Sequence, residues 1–417
     1  MKSKDGILRV GGIGTGRIFQ WAHIRSYPRI LHKARLVGFY DLNKARAEQA
    51  LEKARTVLQE YTEEHPEAAD AVKENISELE VHDSLESLFE QVDVVDIATH
   101  ARGRMPSAIA AFEHGVHAMA EKPMARTWTE TDRAARRLAA SKGVLFQLND
   151  DNVFEPKYRT LSDLISQGII GKPQSMTLVR GSALDGKTVL KAQANAMENG
   201  GGCLLDYGSH GMAGTWSVIG RNYRPVLVDA VSIDVLYRHR VLEDEPYIME
   251  VDDNARVKVL FQDPDTGSWL TVYIEATWCG AHIGLAREDR RFQIQIVGDQ
   301  GVIESTRGPH ITVRHYNGGV TELPLREFAG ESISMCDEIE TFIDHIYANT
   351  APELDIHFGG DIIAICGAAY LSAIRKKAVS LEEFKEYSRG FVKKHGDTAK
   401  ADDAIVAELL APYKYGP

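Results

Sequence analysis

The chain has 417 residues and carries 48 lysines and arginines against 60 aspartates and glutamates, a formal net charge of −12. Nucleic-acid binding depends on clustered positive charge, so this balance argues against DNA or RNA as a partner. With 44% hydrophobic and 26% charged residues, the composition is that of an ordinary globular protein, and the length predicts two or three domains.

Targeting signals and cysteine pairs are not evident in the sequence. The opening MKSKDG leads directly into an apolar run, so we expect no secretory signal, and no run approaches about 18 apolar residues, so we expect no membrane span. The cysteines are far apart and form no CxxC pair, which favours reduced thiols in a cytoplasmic protein over a disulfide framework or zinc site. They are Cys203, Cys279, Cys336 and Cys366.

The first 150 residues alternate apolar runs with helical patterns. Such alternation predicts a parallel sheet that is covered by helices on both faces. The segment 60–77 is acidic and weakly apolar, so we expect a surface helix or excursion there and not a part of the core. The predicted strands span residues 7–13, 34–40, 92–98, 116–120 and 144–148.

The pattern changes after about Asp151, and we predict a domain boundary near residue 150. A helix is predicted over 156–167, and further helices over 332–349, over 361–376 and near the C-terminus. Between them, long strand-like runs joined by short loops predict a large, mostly antiparallel sheet. These runs are 174–180, 226–237, 255–261, 269–276, 292–297 and 310–315.

A glycine-rich turn follows the first predicted strand. Gly14, Thr15 and Gly16 lead into a helical pattern that begins with Arg17 and Ile18. In this context two glycines permit a tight turn and allow the backbone to approach a pyrophosphate. We therefore predict that these five residues bind a dinucleotide.

The turn departs from the usual dinucleotide-binding fingerprint at Phe19 and agrees with it at Asp41. Phe19 replaces the third glycine, which should loosen or shift the packing of the helix on the strand. Asp41 ends the second predicted strand, 25 residues after Gly16. A carboxylate there can accept both ribose hydroxyls of NAD and repel the 2′-phosphate of NADP, so we expect NAD. The alternative is a glycine turn without a ligand.

Lys122 follows the predicted strand 116–120 and precedes Pro123. The residue before a proline is extended, so the lysine should project from the carboxyl edge of the sheet, where α/β proteins bind ligands. A positively charged nicotinamide beside it would disfavour the ammonium form and make the amine available for proton transfer. The alternative is a solvated lysine paired with Glu121.

Asp206 and His210 are four residues apart and would share one face of a helix. The carboxylate could orient the imidazole or bind a substrate hydroxyl, and the imidazole could accept the hydroxyl proton near neutral pH. The alternative is a helix N-cap and a histidine that faces the core. We find no third ligand at helical or hairpin spacing, so we expect no metal, although His239 or His282 could approach in space.

In chain order, the segments GIGTGRI, VDVVDIAT, AEKP, IGKP, GGGCLLDYGSH, VDDNA and VGDQG resemble the Gfo/Idh/MocA oxidoreductases, named for glucose–fructose oxidoreductase, inositol dehydrogenase and a rhizopine-catabolism protein. The resemblance runs through nearly the whole chain. It implies an α/β protein with an N-terminal Rossmann domain over residues 1–150. It also implies an α+β domain over 151–417, whose sheet often mediates oligomers, so we expect a homodimer or homotetramer.

The resemblance also implies roles for individual residues. Thr99, Glu121 and Lys122 would contact the cofactor, and Lys122 would also contact the substrate, after a strand whose Lys–Pro bond is often cis in the family. His210 would be the acid/base, beside Asp206.

Departures from the family pattern occur at positions that face cofactor and substrate. Where the family usually has Thr-Pro-Asn, this chain has Thr99-His100-Ala101. Arg104 stands where a histidine is common, and Val153 stands where an arginine is common. The resemblance therefore does not carry the substrate's identity across. Polar side chains in this region would suit a polyhydroxylated ligand, because each buried hydroxyl needs a partner. The candidates are Asn149, Asp150, Asn152, Arg180 and His282.

The sequence therefore predicts an NAD-dependent dehydrogenase that acts on a secondary hydroxyl of a sugar, glycoside or cyclitol. One alternative is a glycosidase or epimerase that retains its NAD and works through transient oxidation, without accumulating NADH. The other is a sensor of NAD or sugar that has no chemistry. The presence of Lys122, Asp206 and His210 argues against the sensor.

Overall fold

The computed structural model describes residues 6–182, 189–280, 292–305, 310–324 and 333–415, and the chain divides into two compact units. The first, unit 1, takes a segment from the C-terminal half of the chain, and the boundary near residue 150 stays a prediction. Unit 1 consists of Met1–Met124, Thr131–Phe154 and Ala329–Phe358, and unit 2 of Ala125–Glu130, Glu155–Phe328 and Gly359–Pro417.

Unit 1 contains a six-stranded sheet in the order β3-β2-β1-β4-β5-β6, with every neighbouring pair parallel. This order, which reverses between β1 and β4, is that of a Rossmann fold, as the sequence predicted. The inner strands are buried on both faces because helices cover the sheet. The strands are β1 (Leu8–Ile13), β2 (Ala34–Tyr40), β3 (Glu80–Val81), β4 (Val94–Ile97), β5 (His117–Glu121) and β6 (Phe146–Asn149).

The helices predicted over 156–167, 332–349 and 361–376 are present as α8, α12 and α13. Short 3-10 turns occur at Tyr27–Ile30 and Pro66–Ala68. In chain order the helices are α1 (Ile24–Ser26), α2 (Lys44–Glu64), α3 (Ala69–Glu78), α4 (Leu85–Gln91), α5 (Ala101–Glu113), α6 (Trp128–Ala140), α7 (Asp151–Phe154), α8 (Pro156–Ser166), α9 (Lys191–Ala194), α10 (Ala196–Asn199), α11 (Ser209–Ile219), α12 (Ile333–Ala348), α13 (Ile356–Arg375), α14 (Leu381–His395) and α15 (Ala399–Tyr415).

The acidic segment 60–77 is helical, as expected, but its exclusion from the core was wrong. Val72 belongs to the apolar core of unit 1. Asn75 is 1% exposed, and its side-chain amide donates a 2.8 Å hydrogen bond to the carbonyl oxygen of Leu36 on β2. Two side chains therefore anchor α3 to the sheet within a segment whose average composition is that of a surface helix.

Phe19 changes the packing of the helix that follows the glycine turn. The residues Phe19–His23 form a π-helical turn, and Phe19 is fully buried. A Cβ atom added to Gly12 would lie 2.2 Å from the tip of the Phe19 ring. The missing side chain at Gly12 therefore provides the space for a large ring where the fingerprint has a glycine.

Unit 2 contains a nine-stranded sheet in the order β16-β15-β14-β13-β7-β12-β11-β8-β17, which is antiparallel except for the pair β7 and β12. This confirms the predicted large, mostly antiparallel sheet. A separate hairpin is formed by β9 (His239–Leu242) and β10 (Glu245–Ile248). The other strands are β7 (Pro173–Gly181), β8 (Arg224–Asp234), β11 (Asn254–Gln262), β12 (Trp269–Thr277), β13 (Phe292–Gly298), β14 (Gly301–Ser305), β15 (His310–His315), β16 (Val320–Pro324) and β17 (Val379–Ser380).

The helix α13 is long and rich in apolar residues. By length and composition alone it could cross a membrane, and 83% of its most apolar window is buried inside the structure, as in the core helix of a soluble protein. All four cysteines are buried free thiols, and Cys366 lies on this helix.

Gly12→Ala should destabilise the protein by about 1–3 kcal/mol, because the added Cβ would overlap the Phe19 ring. In a Phe19→Ala background, the same substitution should cost less than about 1 kcal/mol. Gly16→Ala is the matched control: a Cβ there meets nothing within 4 Å. Urea unfolding measures all four variants, and equal losses in the two backgrounds would contradict the packing described.

Candidate functional site

The glycine turn connects β1 to the helical segment that begins at Arg17. Gly14 has a φ of +78°, and a Cβ there would lie 2.6 Å from the backbone nitrogen of Thr99, so only glycine fits. The turn thereby brings the predicted residues Gly14 and Thr99 together. A Cβ at Gly16, in contrast, would face open space.

The residues of the turn fit a phosphate group. Among the described residues, the buried hydroxyl of Thr15 has no hydrogen-bond partner. Buried polar groups in proteins are normally satisfied, so an orphan hydroxyl beside open space indicates room for a polar ligand. Backbone N–H groups at the start of a helix are suited to a pyrophosphate.

Asp41 lies directly beside this turn. Its Oδ2 accepts a 2.9 Å hydrogen bond from the backbone N–H of Thr15, and its Oδ1 accepts one of 2.8 Å from Asn43. The structure therefore brings the predicted ribose-binding carboxylate to the predicted pyrophosphate-binding turn. Each carboxylate oxygen has two lone pairs, so both oxygens retain acceptor capacity for ribose hydroxyls.

A buried chain of polar side chains, which the sequence analysis missed, connects the helical segment to β4 and β5. His23 contacts Asp96 through Nδ1 at 2.9 Å and Glu121 through Nε2 at 3.1 Å. The hydroxyl of Tyr27 donates to Asp96 at 2.8 Å. Glu121 in turn accepts a 3.1 Å hydrogen bond from the backbone N–H of Lys122. This series of hydrogen-bonded side chains therefore ends at the backbone of the candidate catalytic lysine.

His23 is positively charged in this series of hydrogen-bonded side chains. Burial alone would lower the pKa of His23, but the charge and hydrogen bond of Asp96, followed by those of Glu121, raise it to about 10. Burial likewise tends to raise the pKa of Glu121, but His23 outweighs this effect and the pKa lies below its ordinary value. One imidazolium is therefore held between two carboxylates.

Lys122 lies where the sequence predicted, directly after β5, and the peptide bond Lys122–Pro123 is cis, as the family resemblance implied. Arg104 replaces a histidine of the family pattern. It is buried, and its guanidinium donates a hydrogen bond to the carbonyl oxygen of Pro123. This departure therefore supports the backbone that follows the lysine.

Asn149 ends β6 and is aligned with Glu121 on β5. Its side-chain oxygen accepts a 3.4 Å hydrogen bond from Gln147, whose Nε2 also donates to the carbonyl oxygen of Glu338 at 2.9 Å. Among the described residues, Asn149 Nδ2 has no partner. Three of the predicted substrate residues therefore lie, buried, at the end of β6 or just beyond it. They are Asn149, Asp150 and Asn152.

In unit 2, Asp206 and His210 lie on one helical segment, as predicted. It begins with a π-helical turn, Leu204–Gly208, and continues as α11. Asp206 is 6% and His210 4% exposed. The Oδ2 of Asp206 accepts a 3.3 Å hydrogen bond from the indole N–H of Trp278, which lies 72 residues later in the chain.

Asp252, and not Asp206, caps this helical segment. Its carboxylate accepts 2.9 Å hydrogen bonds from the backbone N–H groups of Gly202 and Leu204 and a further one from the hydroxyl of Tyr370. A Cβ at Gly202 would lie 1.8 Å from the carbonyl oxygen of Asp252, so the cap requires glycine there. The VDDNA segment therefore fixes the start of the helix that carries both candidate residues.

Arg180 and His282 complete the predicted substrate set. Arg180 lies on β7, with its guanidinium carbon 5.4 Å from the centre of the Tyr207 ring, beside Asp206 in sequence. His282 lies outside the described residues. The roles assigned to these residues stay predictions.

Comparison with known families agrees with both units. Residues 8–149 match the oxidoreductase family's NAD-binding Rossmann fold, and residues 162–381 match its C-terminal alpha/beta domain. The chain belongs to the Gfo/Idh/MocA oxidoreductase family. The predicted family is thereby confirmed.

Relatives within the family include sugar and inositol dehydrogenases. The chain is 22% identical to an inositol 2-dehydrogenase from Burkholderia lata over 375 residues, or 89% of this chain and 95% of that protein. A levoglucosan dehydrogenase solved with NADH and L-sorbose has a TM-score of 0.72 at 19% identity, covering 90% and 98% of the two chains. A putative myo-inositol dehydrogenase from Sinorhizobium meliloti has a TM-score of 0.64 at 19% identity, covering 90% and 99%.

His23 should remain an imidazolium at about pH 8, where an ordinary histidine is neutral. Since its folded pKa of about 10 lies above the ordinary value, its stabilising effect is complete below about pH 6.5 and is lost as the pH rises through about 10. NMR of ¹³C-labelled imidazoles measures this, with the signal assigned by its loss in His23→Gln. A His23 signal that titrates near pH 6.5 would contradict the buried charge.

Proposed function

We propose that this protein is an NAD-dependent dehydrogenase that oxidises a secondary hydroxyl of a sugar, glycoside or cyclitol. The observation that carries the proposal is the glycine turn of unit 1, which combines open space at Gly16 with a direct hydrogen bond to Asp41. Membership of an oxidoreductase family whose N-terminal fold binds NAD supports it. The glycosidase and the sensor have no observation of their own in their favour.

Residues of unit 1 would hold the cofactor. The backbone of Gly14, Thr15 and Gly16 would bind the pyrophosphate, with Arg17 and Ile18 opening the helix behind it. Asp41 would accept the ribose hydroxyls and exclude a 2′-phosphate. Thr99, Glu121 and Lys122 would contact the nicotinamide half. NAD, when bound, supplies the hydride acceptor.

We propose that either His210 or Lys122 accepts the proton of the substrate hydroxyl. His210 would accept the proton of the substrate hydroxyl as the C–H bond breaks, and Asp206 would orient the imidazole or the substrate. The ammonium of Lys122 would polarise the hydroxyl oxygen, and would stabilise the carbonyl oxygen as it forms. The hydrogen bonds of His23 hold Glu121 at the end of β5, and Glu121 in turn accepts a hydrogen bond from the backbone N–H of Lys122, the next residue.

A polyol is the substrate class that we propose. Polar and charged side chains at the end of β6 suit several hydroxyls. The named relatives act on, or are solved with, compounds of this class. We further propose a cytoplasmic homo-oligomer: the unit 2 sheet exposes large apolar side chains, which suits contact between copies. They are Val231, Trp269 and Tyr273.

Asp41→Ser should weaken NAD binding about tenfold and improve NADP binding, because the ribose acceptor and the repulsion of a 2′-phosphate are both lost. Asp70→Ser, which removes an exposed carboxylate from α3, is the matched control. Fluorescence titration with each cofactor measures the dissociation constants. An unchanged ratio of NAD to NADP affinity would contradict the role of Asp41.

His210→Ala should lower kcat by about 10²–10⁴ with little change in the dissociation constant of NAD, since it removes the proton acceptor and not the cofactor site. The exposed His310→Ala is the control. A screen of inositols, monosaccharides and glycosides for NADH formation supplies the substrate. Turnover without accumulation of NADH would indicate the NAD-retaining alternative, and equal kcat in the variant would remove His210 from the mechanism.

A further inference from the structure

Glu338 is a buried carboxyl group that the proposed mechanism does not use. It lies on α12, whose apolar residues Met335, Ile339 and Phe342 belong to the core of unit 1. Glu338 is 0% exposed, and within the described part of the chain neither carboxyl oxygen has a hydrogen-bond partner. A buried carboxyl without a partner is costly, so its presence requires an explanation.

The groups around Glu338 are mostly acidic. Burial, and then the charges of four other carboxylates, raise the pKa of Glu338 well above its ordinary value. Both effects favour the neutral acid form of Glu338 over its carboxylate in the free protein. In order of their effect, the four are Glu121, Asp151, Asp150 and Asp96.

The elements packed against α12 contribute groups of both signs. α12 packs against α7, α1, β6, the π-helical turn and the 3-10 turn that begins at Tyr27. Its own neighbours on the helix are Asp337 and Glu340, and Glu340 is paired with Lys33 at 2.7 Å. These elements carry Asp151 on α7, His23 on the π-helical turn and Tyr27 on the 3-10 turn. Arg25 on α1 and Arg29 on the 3-10 turn are exposed, and β6 contributes no charged side chain.

The cluster lies in the half of unit 1 that is suited to a nicotinamide. In a Rossmann fold the dinucleotide crosses the sheet at the point where the strand order reverses, here between β1 and β4. Asp41 follows β2, so the adenosine half of the dinucleotide would lie on the β2 side of the sheet. The nicotinamide half would then lie at the carboxyl ends of β4, β5 and β6. The orphan Nδ2 of Asn149 at the end of β6 is a second, independent sign of a ligand there.

We propose that Glu338 loses its proton to solvent when the oxidised cofactor binds, so that the protein prefers NAD⁺ over NADH more strongly as the pH rises. The inference rests on the proposed function. Oxidised nicotinamide carries a positive charge, which favours the ionised carboxyl in a buried setting, whereas reduced nicotinamide is neutral and does not. Glu338 is thus a residue that discriminates between cofactor redox states by charge.

The sign of the pH dependence follows from linkage. Because binding of NAD⁺ releases a proton, a lower proton concentration favours the complex, with a limiting slope of about tenfold in affinity per pH unit for one proton released. Binding of NADH leaves Glu338 protonated and has no such slope. A positively charged nicotinamide would also disfavour the ammonium form of Lys122, so the test must separate the two residues.

The experiment measures dissociation constants of NAD⁺ and NADH between about pH 6 and pH 9 by fluorescence titration of the full chain. The affinity of the wild type for NAD⁺ should rise at least about fivefold over this range, and that for NADH should change less than about twofold. In Glu338→Gln the affinity for NAD⁺ should no longer depend on pH. Glu340→Gln, the same change on the same helix, should retain the slope, and a slope that comes from Lys122 would remain in Glu338→Gln.

A second measurement does not depend on a variant. Calorimetry of the wild type, in buffers that differ in ionisation enthalpy, should show proton release with NAD⁺ and none with NADH. An unchanged slope in Glu338→Gln, or equal proton release with both cofactors, overturns the inference. If the wild type binds neither cofactor at any pH, the proposed function itself has failed.

Discussion

The buried imidazolium of His23, held between Asp96 and Glu121, is the interaction on which the geometry of unit 1 depends. It joins three elements that are distant in sequence: the helical segment after the glycine turn, β4 and β5. A charge without water needs partners of the opposite sign, and removal of one partner leaves an uncompensated charge that is strongly destabilising. The three elements therefore cannot move independently without a large cost.

Several other features follow from this ion chain. The Phe19 ring stacks on His23 with 5.6 Å between ring centroids, and it occupies the space that Gly12 leaves. The glycine turn, whose Thr15 N–H is bonded to Asp41, begins the same helical segment. At the other end Glu121 holds the backbone of Lys122. In unit 2 a different buried contact fixes the helix of Asp206 and His210, since the carboxyl group of Asp252 accepts hydrogen bonds from backbone N–H groups at its start.

The elements and the local motifs could be predicted from the sequence because their signals are local. The β1 run, the glycines and Asp41 lie within one strand–turn–helix–strand unit, and the structure confirms their proximity. His23, Glu338 and Asp252 could not be found in this way, since each acquires its meaning from residues far along the chain. The partial signal was Asp96, a carboxylate inside the apolar run VDVVDIA, which needs a buried partner. Nothing in the sequence identified that partner as His23.

A crystal structure of the complex with NAD⁺ tests the central claim most directly. We expect His23 to remain within about 3.2 Å of both Asp96 and Glu121, and pyrophosphate oxygens to accept hydrogen bonds from backbone N–H groups of Gly14–Gly16. A dinucleotide bound away from this turn, or an imidazole rotated out from between the two carboxylates, would contradict this claim.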